Sequence, residues 1–456
     1  MYKEDTIAAV ATPPGEGGVA IVRVSGPHAE RIAKAIFTPA GARDGDLRSH
    51  TLHHGTIRKP ATEETLDEVL LTIMRKPRSY TGEDVVEIHC HGGQVLVQEI
   101  LELVLAHGAR HAERGEFTKR AFLNGRLDLT QAEAVLDLVR SRTARSAQLA
   151  IDQARGELAK WVRDLREELL DILAQVEAAI DFPEEELELL DRAQLSDRIN
   201  ALRKRIASLI ASYEWGRLYR DGARVCIAGR PNVGKSSLLN ALVGEQRVIV
   251  TPQAGTTRDV IEESINLDGL PVVLCDTAGI RETNNEVEKI GVDFSLKRLA
   301  QADAALVVLD GSASVTSEDE TVIAAVKGKK ALFVINKSDL RLHLSTEKIS
   351  AFTNRPVFVS ATEGSGLDDL KRALRSLLLG CSREPEIVVT NLRHKAALER
   401  AQESFAKSIE ACAAILPSEL LAVDIQEAKE ALEEIVGIVT NEEILERIFS
   451  QFCIGK

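Results

Sequence analysis

The sequence predicts a multidomain protein of the α/β plus all-α class, with a second α/β domain inserted into a discontinuous helical domain. Residues 1–118 hold twelve of the 30 glycines together with short β-like runs, which indicates an N-terminal α/β domain. Residues 119–216 and 386–456 carry apolar residues at helical spacing, and residues 217–385 contain long apolar strands. The 456 residues leave room for about three domains, and these ranges are their expected boundaries.

The N-terminal domain is predicted from apolar runs that begin at Thr6, Val19 and Asp84. Glycine and proline residues separate these runs and are typical of turns. We therefore expect strands with intervening helices between residues 1 and 118.

Two apolar stripes at spacings of three and four predict long packed helices. The first runs from Leu158 to Ile180 and the second from Leu195 to Ile210. Asp181-Phe-Pro183, followed by three glutamates, is typical of a break and a new helix start, because proline and acidic residues favour the first turn. The same helical period returns at Leu398 and continues through Val436.

The inserted domain is predicted from five strand-like apolar runs separated by helical segments. Near-continuous apolar runs suit a parallel sheet that is buried on both faces. The runs are Arg224-Val-Cys-Ile-Ala, Val272-Val-Leu-Cys, Ala305-Leu-Val-Val-Leu, Ala331-Leu-Phe-Val-Ile and Val357-Phe-Val.

Composition narrows the classes of function. The chain has 57 basic and 70 acidic residues, a net charge of −13, which argues against a nonspecific nucleic-acid binder. Aromatic residues make up 4%, too few for a broad platform that stacks unpaired bases. No leader peptide or membrane-length apolar run is evident, and the six cysteines form no CxxC pair, so we expect a cytoplasmic protein with free thiols and no membrane association.

A phosphate-binding loop follows the first strand of the inserted domain. Gly229-Arg-Pro-Asn-Val-Gly-Lys-Ser236 matches GxxxxGK[ST] between an apolar strand and the helical Ser237-Leu-Leu-Asn-Ala-Leu. Backbone N–H groups cradle phosphate there, Lys235 reaches the β and γ phosphates, and the Ser236 hydroxyl binds Mg²⁺. A plain glycine turn is the alternative, and the strand and helix on either side disfavour it.

Four further elements follow in the order of a GTPase. Thr257 is placed to bind Mg²⁺, and Asp276-Thr-Ala-Gly279 ends a strand where it can sense the γ-phosphate. In Asn336-Lys-Ser-Asp339 a carboxylate can accept both guanine N–H donors, which adenine lacks, and Ser360-Ala361 can present backbone N–H groups to O6. The predicted GTP-binding residues are Asn232, Val233, Gly234, Lys235, Ser236, Ser237, Thr251, Thr256, Thr257, Asp276, Thr277, Ala278, Gly279, Asn336, Lys337, Asp339, Ser360 and Ala361.

The group that orients the attacking water is not evident from the motifs alone. Ile280 stands where Ras-like enzymes carry a water-orienting glutamine. Glu282, Glu286 and Glu288 are candidates, although for each one taken alone a solvated surface acid is the favoured interpretation.

The combined motifs resemble the MnmE (TrmE) family of tRNA-modification GTPases. The resemblance rests on Gly-Arg-Pro-Asn-Val-Gly-Lys-Ser-Ser-Leu-Leu-Asn, on Ala-Gly-Thr-Thr-Arg-Asp, on the inserted position of the GTPase domain and on the ending Phe452-Cys-Ile-Gly-Lys456. It runs from Thr12 to Lys456. It therefore covers nearly the whole chain.

The resemblance implies an architecture, a reaction and partners. The N-terminal domain would bind tetrahydrofolate and form a homodimer, and the inserted domain would be a Ras-like P-loop GTPase. With a FAD-bearing partner, MnmG (GidA), in a heterotetramer or larger complex, the protein would add a carboxymethylaminomethyl or aminomethyl group at C5 of wobble uridine U34 in certain tRNAs. The one-carbon donor would be a 5-formyl- or methylene-tetrahydrofolate, and K⁺ would stimulate GTP hydrolysis.

The resemblance also implies roles for particular residues. Glu288 would orient the water, and Lys235 would be the second catalytic residue. Potassium ligands would come from Asn232, Thr251, Gln253 and Thr256. The folate site would contain Arg23, Glu87, Arg126 and Lys456, with Arg126 standing where some relatives have lysine, whose geometry differs.

Two cysteine-containing motifs leave alternatives open. His89-Cys90-His91 has alternate spacing that suits a metal site, but no second ligand pair follows, so a structural role is favoured. Cys453 is a candidate reactive thiol beside the one-carbon site, and a buried structural cysteine is nearly as well supported.

A basic cluster and the GTPase domain itself admit other interpretations. The cluster could contact tRNA phosphates or form a solvated helix face; it comprises Arg110, His111, Arg114, Lys119, Arg120, Arg126, Arg140, Arg142 and Arg145.

As a whole, the chain could instead be a ribosome-assembly GTPase without RNA chemistry. A dynamin-type membrane GTPase is disfavoured because no basic amphipathic anchor is present.

Overall fold

The computed structural model describes residues 5–41, 47–181, 191–246, 263–276, 299–344, 353, 355–380 and 384–456. The chain divides into two compact units. The first unit comprises Met1–Leu136, Gln153–Asp171 and Lys429–Lys456, and the second comprises Asp137–Asp152 and Ile172–Ala428. The three domain boundaries expected from sequence stay a prediction.

A seven-stranded sheet forms the centre of the first unit. Its strands follow the order β3-β4-β5-β6-β2-β1-β7, and neighbours are antiparallel except the parallel pair β1 and β7. The strands are β1 (Ile7–Val10), β2 (Gly17–Ser25), β3 (Phe37–Pro39), β4 (Leu52–Arg58), β5 (Thr65–Met74), β6 (Val85–Gly92) and β7 (Arg110–His111).

Two helices cover this sheet and close its core. Helices α1 (Ala29–Ile36) and α2 (Gln94–Ala106) bury Ile32, Ile36 and Ile100 against the apolar face of the strands. Burial of each such side chain contributes about 1.5–3 kcal/mol to folding. The predicted N-terminal α/β domain is confirmed at the level of fold class, since strands and helices both form its core.

A second apolar core of the first unit joins distant parts of the chain. Leu129 and Leu136 pack with Leu445, Phe449 and Phe452. The first two residues lie on α4 (Leu129–Arg140), the next two lie on α13 (Glu442–Phe449), and Phe452 follows α13. Phe122 of α3 (Glu116–Leu123) packs against this core. The C-terminal residues are thereby held beside the N-terminal sheet.

The second unit contains a six-stranded sheet in the order β13-β12-β11-β8-β10-β9. All neighbours are parallel except β9 and β10, which form an antiparallel hairpin. The strands are β8 (Ala223–Ala228), β9 (Glu263–Leu267), β10 (Leu270–Asp276), β11 (Ala304–Asp310), β12 (Ala331–Asn336) and β13 (Val357–Phe358). The predicted parallel sheet is confirmed, and β9 is an addition that the apolar runs did not indicate.

Helices that pack on this sheet are followed and preceded by the longer helices of the helical part of the chain. They are α5 (Ala144–Ala154), α6 (Glu157–Asp181), α7 (Arg192–Asp221), α8 (Lys235–Gln246), α9 (Ser317–Ala325), α10 (Leu367–Leu379), α11 (Leu392–Ala413) and α12 (Ser418–Val436), of which α5, α6 and α12 extend into the first unit. The two predicted apolar stripes are confirmed as the buried faces of α6 and α7. The segment 182–190, with the predicted helix break, lies outside the described residues.

Helix α7 packs closely on the segment that leads into α11. A Cβ at Gly216 would lie 2.2 Å from the carbonyl oxygen of Val389, so only glycine allows this approach. The Ser212 hydroxyl accepts a hydrogen bond from Val389 N at 3.0 Å, which satisfies a buried donor. Helix α7 ends at Gly222, whose φ of +87° lies in the left-handed region that glycine adopts readily. No helix of the described ranges is long and apolar enough to cross a membrane.

Candidate functional site

The phosphate-binding loop lies in the second unit, between the end of β8 and the start of α8. Val233 is buried in the core of the sheet, which anchors the middle of the loop. Ser236 and Ser237 are exposed in the first turn of α8. The N-terminus of a helix presents free backbone N–H groups and positive partial charge, so this turn suits an anionic ligand.

Lys235 is held by the carbonyl groups of its own loop. Its Nζ donates to the carbonyl oxygens of Gly229 and Arg230, both at 2.9 Å. The side chain is buried, so its charge lies in a medium of low dielectric where an ionic contact is stronger than in water. The ammonium group is therefore already positioned over the loop that would surround a phosphate.

Asn336 connects the phosphate-binding loop with the loop expected to recognise the base. Its Nδ2 donates to Val233 O at 2.9 Å, and its Oδ1 accepts from Ala361 N at 3.1 Å. A Cβ at Gly234 would lie 2.2 Å from that Nδ2, and Gly234 has a φ of +94°. Only glycine therefore allows the loop to pass so close to Asn336.

The base-recognition loop places Asp339 in solvent and Lys337 against a carboxylate. Lys337 has a φ of +64° and donates from Nζ to Asp310 Oδ2 at 2.6 Å. The N–H groups of both Ser360 and Ala361 donate within the protein, to Ser365 O and Asn336 Oδ1. A contact from Ala361 N–H to guanine O6 would therefore be shared with Asn336.

Several predicted site residues lie outside the described residues. They are Thr251, Gln253, Thr256, Thr257, Thr277, Ala278, Gly279 and Glu288, and Asp276 is described only as the last residue of β10. The described part of the site thus comprises the phosphate-binding loop, the Asn336–Asp339 segment and Ser360-Ala361.

A second candidate site lies on the sheet of the first unit. Arg23 on β2 and Glu87 on β6 are directly opposite each other, and Arg23 Nε donates to Glu87 Oε1 at 2.8 Å. Arg23 Nη1 also donates to the carbonyl oxygen of Gly455 at 3.4 Å. The structure therefore brings two predicted folate residues together, next to the residue that precedes Lys456.

Two aromatic rings enclose the Arg23 guanidinium. Its central carbon lies 5.7 Å from the ring centroids of both Tyr80 and Phe117, within the range of cation–π attraction. Burial raises the pKa of Tyr80, an effect that its hydrogen bond with Thr118 and the Arg23 charge only partly oppose. The site combines a fixed cation, a carboxylate and aromatic faces.

The C-terminal segment lies against this site. Gly455 has a φ of +94°, and a Cβ there would lie 2.3 Å from Val10 O. Gly115 N donates to Cys453 O at 3.4 Å, and the Cys453 side chain is exposed. Arg126 lies just beyond α3 with an exposed side chain.

Two members of the predicted basic cluster are part of an ionic network. Arg120 is 3% exposed and contacts Asp5, Glu83 and Glu116, while Arg110 contacts Asp5 and Glu116. These arginines stabilise the first unit by compensating buried carboxylates. Of the alternatives weighed for the cluster, a structural role fits these two side chains.

The His89-Cys90-His91 motif is engaged with carboxylates. His91 Nδ1 lies 2.7 Å from Asp67 Oδ1, and His89 Nε2 lies 3.5 Å from Glu87 Oε2. Burial raises the pKa of the Cys90 thiol to about 11, and the nearby Asp67 charge adds to the effect. Among the described residues no group of three His, Cys, Asp or Glu side chains could hold a metal ion.

Some residues at both sites carry no signal in the motifs. Tyr80 and Phe117 surround Arg23, and Asp310 holds Lys337. Asp310 ends an apolar strand that pairs with the strand of Asn336. Its position at the carboxyl edge of a parallel sheet was the only feature of the sequence that could have indicated a role at the nucleotide site.

Comparison with known proteins covers nearly the whole chain. The model of the MnmE helical domain matches residues 129–453, and the model of the GTP-binding protein TrmE N-terminus matches residues 6–126. The tRNA modification GTPase MnmE of Natranaerobius thermophilus is 47% identical over 99% of this chain and 100% of its own length. Proteins of the same name from Heliobacterium modesticaldum and Geobacillus kaustophilus are 48% and 46% identical, over 99% and 100% of this chain and 99% and 100% of their own lengths.

Proposed function

The chain belongs to the MnmE (TrmE) family of tRNA modification GTPases, and from that premise we propose that it couples GTP hydrolysis to modification of the wobble uridine U34 in certain tRNAs. The observation that carries the proposal is the joining of the phosphate-binding loop to the base-recognition loop through Asn336. The product is a carboxymethylaminomethyl or aminomethyl group at C5. The FAD-bearing protein MnmG (GidA) is the proposed partner.

The nucleotide site would hold GTP along its length. Lys235 would exchange its two carbonyl partners for oxygens of the β and γ phosphates. Asp339 is exposed at the other end and would accept the N1–H and 2-amino groups of guanine. Adenine would leave this carboxylate without a donor, so it would bind more weakly.

Ligands for two cations are part of the proposal, and those for K⁺ are carried over from the family. The Ser236 hydroxyl, exposed in the first turn of α8, fits the oxygen preference of Mg²⁺, and Thr257 is the second proposed ligand. Asn232 is exposed in the phosphate-binding loop with a φ of +63°, and its side chain would bind K⁺ together with Thr251, Gln253 and Thr256. A fixed cation there would stabilise negative charge on the phosphates during cleavage. Glu288 would orient the attacking water.

The Arg23 site would bind a tetrahydrofolate that carries the one-carbon unit. The ring of Tyr80, which is only partly buried, suits the pterin, Glu87 suits ring N–H donors, and Lys456 and Arg126 are the cations proposed for the glutamate tail. Cys453 is exposed in the same C-terminal segment and is proposed as a thiol beside the one-carbon unit. A homodimer of the N-terminal domain would be the assembly that holds this ligand.

The decisive test of the tRNA reaction is mass spectrometry of tRNA nucleosides. Cells that lack this protein should lose the C5 modification at U34, and expression of the intact chain should restore it. Expression of Lys235→Ala should not restore it, because GTP hydrolysis would be lost. Unchanged U34 in the deletion strain would contradict the proposal and favour a GTPase that only acts as a switch in ribosome assembly.

The potassium assignment is tested by GTP hydrolysis in KCl and in NaCl at equal ionic strength. The purified chain should hydrolyse GTP faster in KCl, and Asn232→Ala should remove most of the difference. Asn240→Ala is a matched control, because Asn240 is another exposed asparagine of the same unit, in α8. Equal rates of the unaltered chain in both salts would contradict a role for K⁺.

A further inference from the structure

A carboxylate at the end of β11 lies between the two nucleotide-binding loops. Asp310 is 8% exposed, and its Oδ2 accepts from Lys337 Nζ at 2.6 Å. Its Oδ1 accepts from Ser312 N at 2.9 Å and from Ser312 Oγ at 2.6 Å. These side-chain hydrogen bonds come from the base-recognition loop and from its own turn.

The same carboxylate faces the phosphate-binding loop through Arg230. Arg230 Nη2 lies 4.0 Å from Asp310 Oδ2, and Arg230 Nε lies 3.2 Å from Asp319 Oδ2. Asp319 is itself fixed, because it forms a reciprocal capping box with Thr316 at the start of α9. A chain of charges therefore runs from the phosphate-binding loop through Asp310 to Lys337.

This chain of charges holds in place the two loops expected to bind opposite ends of a nucleotide. Burial raises the pKa of Asp310, but the hydrogen bonds from Lys337 and Ser312 lower the pKa by more than burial raises it. The net pKa therefore lies below its usual value, and the carboxylate is ionised at neutral pH. Removing the carboxylate would leave Lys337 and Arg230 without this compensating charge. Lys337, with its left-handed backbone, would lose the contact that holds its side chain across the loop.

We propose that Asp310 is a positioning residue of the nucleotide site, which fixes Lys337 and Arg230 so that the base-recognition loop and the phosphate-binding loop grip one nucleotide together. The inference rests on the proposed binding of guanine nucleotides. Asp310 acts through its neighbours and contacts neither base nor phosphate in this role. Its loss should loosen the bound nucleotide and leave the chemical step almost unchanged.

The test measures dissociation of a fluorescent GDP from the full chain and from Asp310→Asn. We expect the dissociation rate to rise about tenfold, the size expected for loss of one charge-assisted hydrogen bond. The value of kcat at saturating GTP should stay within about twofold, because the residues at the phosphates remain. The KM for GTP should rise.

Asp303 provides a matched control next to the same strand. It directly precedes β11, at the opposite end from Asp310, accepts from Arg217 Nη2 at 2.7 Å and from Arg224 N at 2.8 Å, and is also largely buried. Asp303→Asn should lower the melting temperature yet leave GDP dissociation unchanged. Equal acceleration by both variants would overturn the proposal, because it would show a general loss of stability.

A double-mutant cycle of Asp310 and Lys337, measured by GDP dissociation, tests the proposal even if one variant is less stable. If Asp310 acts through Lys337, then Lys337→Met should accelerate dissociation and Asp310→Asn should add little to it. Asp310→Glu keeps the charge and should recover part of the slow rate. Fully additive effects, or unaltered dissociation in a folded Asp310→Asn, would refute the inference, whereas failure of the unaltered chain to bind GDP would refute the proposed function itself.

Discussion

The ammonium group of Lys235 shows how one side chain can be prepared for its ligand by the backbone around it. It donates to Gly229 O and Arg230 O, and these two hydrogen bonds hold the side chain in one position over the loop before a ligand binds. Arg23 is placed in the same manner, by Glu87, Gly455 O and two aromatic rings. In both cases fixed acceptors hold a cation, which is buried in Lys235 and partly exposed in Arg23, and this lowers the entropy lost when a ligand binds.

Replacement of Lys235 by alanine should therefore abolish hydrolysis with little loss of structure. We expect kcat/KM for GTP to fall at least about a hundredfold, because one positive charge at the phosphates is removed. Phosphate release measures this directly. Lys371→Ala is the control, since Lys371 is another buried lysine of the second unit, on α10, and its loss should leave hydrolysis intact. Hydrolysis that survives in Lys235→Ala would contradict the assignment.

The ion pair between Glu30 and Arg75 makes the stability of the first unit depend on pH. Arg75 donates to Glu30 from Nε at 2.9 Å and from Nη2 at 2.8 Å, and these bonds, with help from Lys34 and against the effect of burial, lower the pKa of Glu30 to about 2. The unfolded chain has an ordinary pKa near 4.5. Because the folded pKa is depressed, the stabilisation is present above pH 4.5 and is lost as the pH falls toward 2.

Glu30→Gln should remove the part of the pH dependence of stability that comes from the ion pair between Glu30 and Arg75. Its melting temperature should lie below that of the unaltered chain at pH 7, and the gap should narrow between pH 4.5 and 3. The melting temperature of Arg75→Gln should approach that of the unaltered chain in the same pH range, because the hydrogen bond from Arg75 contributes most to the lowered pKa of Glu30. A gap that stays constant down to pH 3 would show that the pair does not shift the titration of Glu30.

At the scale of secondary-structure elements, the nucleotide site depends on how closely one loop approaches a neighbouring strand. The turn from β8 into α8 passes so near the end of β12 that a Cβ at Gly234 would lie 2.2 Å from Asn336 Nδ2. The hydrogen bond from Asn336 to Val233 O joins the two elements at this point. Glycine is therefore required both for the left-handed φ and for the space.

Gly234→Ala should accordingly weaken both the fold and GDP binding. We expect a loss of about 1–3 kcal/mol in stability, the range for a strained backbone, and a measurable rise in the Kd for GDP. Gly244→Ala is the matched control within α8, because no atom of the residues that the structure describes lies within 4 Å of a Cβ there. That variant should gain roughly 0.5–1 kcal/mol from lower chain entropy and higher helix propensity. Equal melting temperatures of the two variants would contradict this account.

The elements themselves could be predicted where local signals are strong. Long apolar stripes predicted α6 and α7, and apolar runs predicted β8, β11 and β12. Polar motifs predicted the loops that follow β8 and β12, but none marked the loop that follows β11. Strand β9 was missed because Glu263–Leu267 has only two apolar residues and no continuous apolar run, and its register comes from the hairpin with β10. The roles of Asp310 and Tyr80 depend on contacts between segments far apart in sequence, which no local pattern contains.

At the scale of the whole molecule, residues from both ends of the chain form one site. The first unit contains both the N-terminal sheet and Lys429–Lys456, and the core of Leu129, Leu445 and Phe452 packs the C-terminal residues against α4. Gly455 is therefore placed beside Arg23 by packing of the α13 segment. The phosphate-binding loop belongs to the second unit, so the two candidate sites can be altered separately.

Gly455→Val should weaken folate binding without changing GTP hydrolysis. The added side chain meets Val10 O at 2.3 Å and an unfavourable positive φ, so the C-terminal segment must move and Arg23 must lose its contact with Gly455 O. We expect the Kd for 5-formyl-tetrahydrofolate, measured by calorimetry, to rise at least about tenfold, the scale of one lost hydrogen bond to a charged group. The rate of GTP hydrolysis should stay unchanged. Ile454→Ser, at an exposed neighbouring side chain, should leave both quantities unaltered. If Gly455→Val bound the folate normally, the C-terminal segment would not be part of that site; a parallel loss of GTP hydrolysis would show instead that the two units do not act separately.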